Sequence, residues 1–182
     1  NLGTALSAAG KIDEAIARYR DALQIDPGYP MAHNNLGNLL LTQGALDEAG
    51  RHLRAAIDTN PNYVQALNNL AYVLIETNQH AEAIEHATNA ITLNPNYAVA
   101  RFNLARALIS TGKASEAVAE LRRALELQPN FTGAALELAW LLATHPNRGI
   151  RQPVDAVNLA EQVATVSERK DPRALDVLAA AS

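Results

Sequence analysis

The chain has 182 residues, 48% of them apolar, and its 15 basic against 19 acidic residues leave a formal net charge of −4. That balance, spread along the chain, excludes the basic stripe that nucleic-acid binding requires. The absence of cysteine excludes disulfides and thiolate sites while remaining compatible with any compartment.

In chain order, Asn1-Leu2-Gly3 repeats as Asn35-Leu36-Gly37, inside what reads as a first helix. Gly10 ends that helix, Ala15 and Ala22 share one face of a second, Pro27 stops it, and Tyr29 follows. A second unit runs from Pro30 to Tyr63, with Leu36-Gly37, Gly44, Ala49, Ala56 and Pro61 at the same places. A third, Val64 to Tyr97, carries Leu70-Ala71, Asn78, Ala83, Ala90 and Pro95, and a fourth, Ala98 to Phe131, carries Leu104-Ala105, Gly112, Ala117, Ala124 and Pro129. The four prolines stand 34 residues apart. Such a period marks a helix-turn-helix array, in which no unit can bury its apolar stripe alone. The glycines and Asn78 suit the left-handed conformation that ends a helix, and the alanines let two helices approach closely.

The fifth unit departs from the pattern. Its first helix is expected over Thr132 to Thr144, after which His145 to Pro153 replaces the short turn. Ala156 then stands five residues beyond its place in the period. This loop reads as an insertion, since two prolines and a glycine continue neither helix. From Asp171-Pro172 a further repeat is expected to open, because Ala174 to Ala179 resembles Ala66 to Ala71. The division is thus a partial repeat over 1–29, repeats over 30–63, 64–97 and 98–131, an atypical one over 132–171 and the start of another over 172–182, in one elongated domain. A chain that begins and ends inside repeats is expected to be a fragment of a longer protein.

Leu-Gly/Ala, then Ala, an apolar or aromatic residue, Ala and Pro at a 34-residue period resembles the tetratricopeptide repeat, over nearly the whole chain. The resemblance implies an all-α, right-handed helix-turn-helix solenoid, a superhelix with a concave groove, that binds proteins.

Before each Leu-Gly/Ala pair stands an asparagine: Asn1, Asn35, Asn69 and Asn103. On such a fold these side chains and Asn38 fall toward the groove, and Asn34 and Asn68 thicken the strip. A carboxamide offers an acceptor and two donors, so a row of them can hold an extended peptide by its backbone. In this respect the chain resembles the repeat region of the O-linked N-acetylglucosamine transferases. That resemblance implies a peptide-backbone role for Asn35, Asn69 and Asn103; in the fifth unit Glu137 replaces the asparagine. The bland alternative is that these amides are solvated or bond within and between adjacent helices. Asn38, Tyr72, Arg106 and Trp140 share one place in the repeat and vary in type, which is where partner specificity can reside. Tyr72 and Trp140 can equally fill gaps between helices. A chaperone-type carboxylate clamp is rejected, because Asn34, Asn68 and Phe102 occupy the place of its lysine.

No catalytic, metal or cofactor site is expected. The five histidines form no ligand motif and read as scattered surface residues, and the glycines mark helix ends rather than a phosphate loop. Arg122-Arg123, with Arg101 and Arg106 nearby in sequence, reads as solvated helix faces. The expected function is a scaffold binding a protein or peptide segment in its groove, without nucleic acid or membrane contact by this segment. The alternatives are the substrate-recruiting arm of a larger enzyme such as a glycosyltransferase, or an assembly module that self-associates through uncapped ends.

Overall fold

The computed structural model describes residues 2–166 and 170–181, all of whose regular structure is helical. The helices are α1 (Leu2–Ala8), α2 (Ile12–Ile25), α3 (Pro30–Thr42), α4 (Leu46–Thr59), α5 (Val64–Glu76), α6 (His80–Leu93), α7 (Ala98–Ser110), α8 (Ala114–Leu127), α9 (Thr132–Thr144), α10 (Pro153–Val166) and α11 (Pro172–Ala181). Their contacts divide the chain into two compact units, residues 1–95 and 96–182.

Each helical hairpin is closed by the same local chemistry. Gly10, Gly44 and Gly112 have φ of 75°, 74° and 78°, and Asn78 takes their place at 59°. That left-handed residue turns the chain so that the next N–H reaches back five residues: Lys11 to Leu6, Ala45 to Leu40, Gln79 to Leu74 and Lys113 to Leu108, at 2.7–2.9 Å. Between hairpins, proline fixes φ at the second position of a tight turn. The Tyr29, Tyr63 and Phe131 N–H groups accordingly donate to the carbonyls of Asp26, Asn60 and Gln128 at 3.0–3.2 Å.

Within a hairpin, side-chain size on one helix answers size on the other. An ideal Cβ on Gly3 would lie 2.9 Å from the Tyr19 ring, and one on Gly37 would lie 2.9 Å from Leu53 Cγ. In the third hairpin Ala71 and Ala87 stand at these places, both fully buried. Glycine is therefore required at position 37 because Leu53 fills the space a methyl group would need.

In unit 1, α1 packs on α2, α2 on α3, α3 on α4, α4 on α5 and α5 on α6, and α3 also touches α5. In unit 2, α7 packs on α8, α8 on α9, and α9, α10 and α11 pack on one another around Ala135, Leu136, Val163, Ala164 and Ala174. The loop between α9 and α10 is closed by its own hydrogen bonds. Gln152 N–H donates to the Leu142 carbonyl at 2.9 Å, and the Asn147 carboxamide oxygen accepts from Gly149 N–H at 2.9 Å. Arg122 of α8 reaches Gln152 at 2.6 Å and Asp155 at 3.5 Å. In unit 1, Arg20 and Arg54 pair with Glu48 and Glu82 of the following hairpin at 2.9 and 3.0 Å. The displaced register therefore still presents Arg122 with a carboxylate. Among the described residues no helix is long and apolar enough to cross a membrane.

Candidate peptide-binding surface

In unit 1 the first helices of successive hairpins, α1, α3 and α5, expose one face each. Leu36 and Gly37 of α3, and Leu70 and Ala71 of α5, are buried. One residue earlier, a rotation of about 100° brings Asn35 and Asn69 to a half-buried rim. A further step carries Asn34 and Asn68 inward, where they are 6% and 4% exposed.

These four amides form a directed relay. Asn68 Nδ2 donates to Asn69 Oδ1 at 3.3 Å, Asn69 Nδ2 to Asn34 Oδ1 at 3.3 Å, and Asn34 Nδ2 to Asn35 Oδ1 at 3.2 Å. Asn35 Nδ2 donates to the Tyr19 hydroxyl at 3.2 Å, which lies 3.0 Å from Thr4 Oγ1. Every bond runs head to tail, so each amide polarises the next. Tyr63 sits against the same relay: burial raises its phenol above its usual pKa, while its hydrogen bond with Asn34 opposes the rise. A carboxamide has two N–H donors and two lone pairs. Asn35 and Asn69 each engage one donor and one lone pair in the relay, which leaves each one of both for a ligand.

Beside the relay, Thr4, Ser7, Tyr19, Asn35, Asn38 and Leu39 line a cavity of about 100 Å³. Asn38 and, one repeat on, Tyr72 are exposed. The relay is the alternative reading of these asparagines, in which the amides bond within and between adjacent helices. Its signal is the doublet Asn34-Asn35 and Asn68-Asn69, whose first member bonds backward to position the second. Asn1 lies outside the described residues.

Unit 2 repeats the helical hairpin with different side chains. Asn103 is 3% exposed, and Phe102 stands before it where unit 1 has an asparagine, so that place carries no amide to relay. Phe102 instead packs at a tilt against Phe131, ring centroids 5.0 Å apart and planes at 53°, and the Arg106 guanidinium lies 5.9 Å from the centroid of the Phe102 ring. On α9 the equivalent face carries half-buried Glu137 and exposed Trp140. Together with Leu136 of α9 and Arg173, Asp176 and Val177 of α11, they line a cavity of about 230 Å³.

The histidines are less scattered than their spacing suggests. His33 of α3 and His52 of α4 meet with Nδ1 atoms 2.9 Å apart, and His33 Nε2 lies 3.0 Å from the Pro27 carbonyl. A carbonyl only accepts, so His33 carries its proton on Nε2 and His52 must donate through Nδ1. Burial, and then the neighbouring His33, lower the His52 pKa. Among the described residues no group of three or more His, Cys, Asp or Glu side chains could hold a metal ion.

Comparison with known proteins agrees with this geometry. A tetratricopeptide-repeat family model matches residues 40–86 and 74–141, and a TPR-repeat model matches residues 3–44. The chain belongs to the tetratricopeptide-repeat family. No curated protein matches it. Among solved structures it is similar to YrrB, described as a TPR protein with an unusual peptide-binding site, at 23% identity over 97% of this chain and 88% of that one, with a TM-score of 0.75. It is also similar to the pilF protein of Pseudomonas aeruginosa, at 25% identity over 97% of this chain and 85% of that one, TM-score 0.75. A Thermobaculum terrenum O-GlcNAc transferase aligns at 22% identity over 75% of this chain and 26% of that one, TM-score 0.68. The fold class is the all-α tetratricopeptide-repeat solenoid, and repeats of this kind are protein–protein interaction scaffolds.

Proposed function

We propose that this chain binds an extended partner segment by the segment's backbone, along the exposed faces of the first helices of unit 1. One observation carries the proposal. The asparagine relay holds Asn35 and Asn69 in fixed orientation and leaves each a donor and an acceptor, the pair of groups that one peptide unit complements. Asn34 and Asn68 are positioning residues in this reading. Asn103, expected as a backbone contact, is 3% exposed and is not offered to a ligand; Asn38 and Tyr72 in unit 1, and Arg106 and Trp140 in unit 2, discriminate between side chains. The repeat division, with hairpins over 30–63, 64–97 and 98–131 and a longer one over 132–171, belongs to the same reading, as does the absence of catalysis by this segment.

Selection of a displayed random-peptide library on the wild-type chain tests the proposal. Selected peptides are expected to lose affinity about tenfold when Asn35→Ala and Asn69→Ala are combined, the size of one or two hydrogen bonds. Circular dichroism checks that the variant remains helical. Unchanged affinity in a folded double variant would show that the amides do not grip the peptide.

A further inference from the structure

The cavity between α9 and α11 differs in kind from the amide-lined face of unit 1. Trp140 is 49% exposed at its mouth, while Leu136 and Val177, 4% and 1% exposed, form its apolar floor. Two carboxylates, Glu137 and Asp176, share the lining, and neither side chain has a hydrogen-bond or ion-pair partner among the described residues. The one cation in the lining, Arg173, is tied to Asp171 through Nη2 at 3.2 Å and Nε at 3.4 Å. Asp171 thus compensates Arg173, and the cavity keeps an excess of negative charge beside an exposed indole.

Glu137 is half-buried, and Asp176, exposed, adds its charge at the solvent side. Burial without a partner makes the Glu137 carboxylate costly unless something cationic covers it. An indole face beside it attracts the same kind of group through the ring quadrupole. Guanidinium satisfies both surfaces at once: its plane stacks on Trp, and its edge meets a carboxylate with paired N–H donors.

We propose that this cavity is a specificity pocket for a basic side chain of the partner segment, arginine above lysine. The proposal deepens the peptide-binding reading and rests on it, but it concerns residues that take no part in the asparagine relay. Glu137 stands at the place that Asn69 holds in the third repeat. The pocket therefore replaces amide recognition of backbone with charge recognition of a side chain.

Trp140 is the chain's single tryptophan, so its fluorescence reports on this pocket alone. The wild-type chain is titrated with a capped hexapeptide of alanine and serine containing one central arginine, and with the same peptide bearing citrulline, which keeps the shape and removes the charge. A saturable fluorescence change is expected with arginine, a weaker one with lysine, and none with citrulline. In the double variant Glu137→Gln, Asp176→Asn, arginine binding is expected to fall about tenfold. Equal responses to arginine and citrulline, no response to either, or an unaltered response in the double variant would overturn the proposal. The outcome is separable from that of the relay. If Asn35→Ala and Asn69→Ala leave peptide capture unchanged while the arginine response persists, the backbone reading fails and the pocket stands.

Discussion

At one place in the helical hairpin, where the first helix faces the second, the two units solve the same packing problem with different chemistry. Unit 1 sets His33 against His52, Nδ1 to Nδ1 at 2.9 Å. Unit 2 sets Arg101 against Glu120 at 2.7 Å, with side chains 13% and 25% exposed. Further along unit 2, Ala135 and Leu159 occupy the place and pack together as hydrocarbon. The exposed face varies in the same way, from an amide relay in unit 1 to Phe102, Arg106, Glu137 and Trp140 in unit 2. Across these changes the leucines and the small residues beside them stay fixed, as do the helix-ending turns outside the loop between α9 and α10. The hairpin is thus a frame that small-to-large packing holds in place. Its remaining positions are available for chemistry because the frame does not depend on them.

That separation can be broken first at the frame itself. Leu53 and Leu121 are each fully buried, at equivalent places on the second helix. Truncation of either to alanine should cost about 3 kcal/mol, as lost transfer energy plus the cavity left behind. Urea denaturation of both variants checks this. Costs differing by more than about 2 kcal/mol would mean that the two units do not share one packing rule.

The next effect is smaller and belongs to unit 1. Asn34→Ala removes the carbonyl that accepts from Asn69 and the N–H that donates to Asn35, leaving half-buried amides without those partners. The expected loss is about 2 kcal/mol. At the matching place unit 2 has Phe102, so Phe102→Ala should act through lost ring packing against Phe131 instead. A denaturation midpoint unmoved by Asn34→Ala would show that the relay contributes nothing to the fold.

Smaller again is Tyr19→Phe, which deletes only the hydroxyl that ends the relay at Asn35 and Thr4. About 1 kcal/mol of stability should be lost. Peptide affinity should fall with it, because Asn35 loses the partner that sets its orientation. Stability lost with peptide affinity intact would make the relay a structural device only.

Much of this was legible in the sequence, and the parts that were not share a physical cause. The 34-residue beat identifies the fold class because period, glycine turn and proline stop are local properties of the chain. Left-handed φ at Gly10, Gly44, Asn78 and Gly112 follows from residue type alone. The burial of Asn34 and Asn68 depends on a neighbouring helix, and no one-dimensional row of asparagines tells which member of a doublet turns inward. His33 and His52 are 19 residues apart on different helices, a distance at which spacing carries no angular information. The meeting of Glu137, Asp176 and Trp140 in one cavity requires α11 to pack on α9, which the repeat pattern implies only once both helices are placed.

The histidine pair gives the mildest and most specific contrast between the units. His33 holds its proton toward the Pro27 carbonyl, and His52 donates through Nδ1 to His33 Nδ1. A proton arriving at His52 Nε2 would face Glu48 at 3.9 Å, and Glu48 already pairs with Arg20 at 2.9 Å. Burial first, then His33, with lesser opposition from Glu48 and lesser support from Arg20 and Arg51, hold the His52 pKa below its ordinary value of 6.5. The unfolded chain therefore binds more protons than the folded one just below pH 6.5, and stability rises with pH through that window. Stability should be full above 6.5, fall as the solution is acidified below it, and level off once His52 is protonated in the fold as well. His52→Gln keeps a polar group at the contact and removes the titration, so its denaturation midpoint should depend less on pH between about 7.5 and 5 than that of the wild type. Identical slopes would assign the acid sensitivity elsewhere. At the same place unit 2 has Arg101 and Glu120, with no imidazole to titrate, and Arg101→Gln should leave the slope over that range as it is in the wild type.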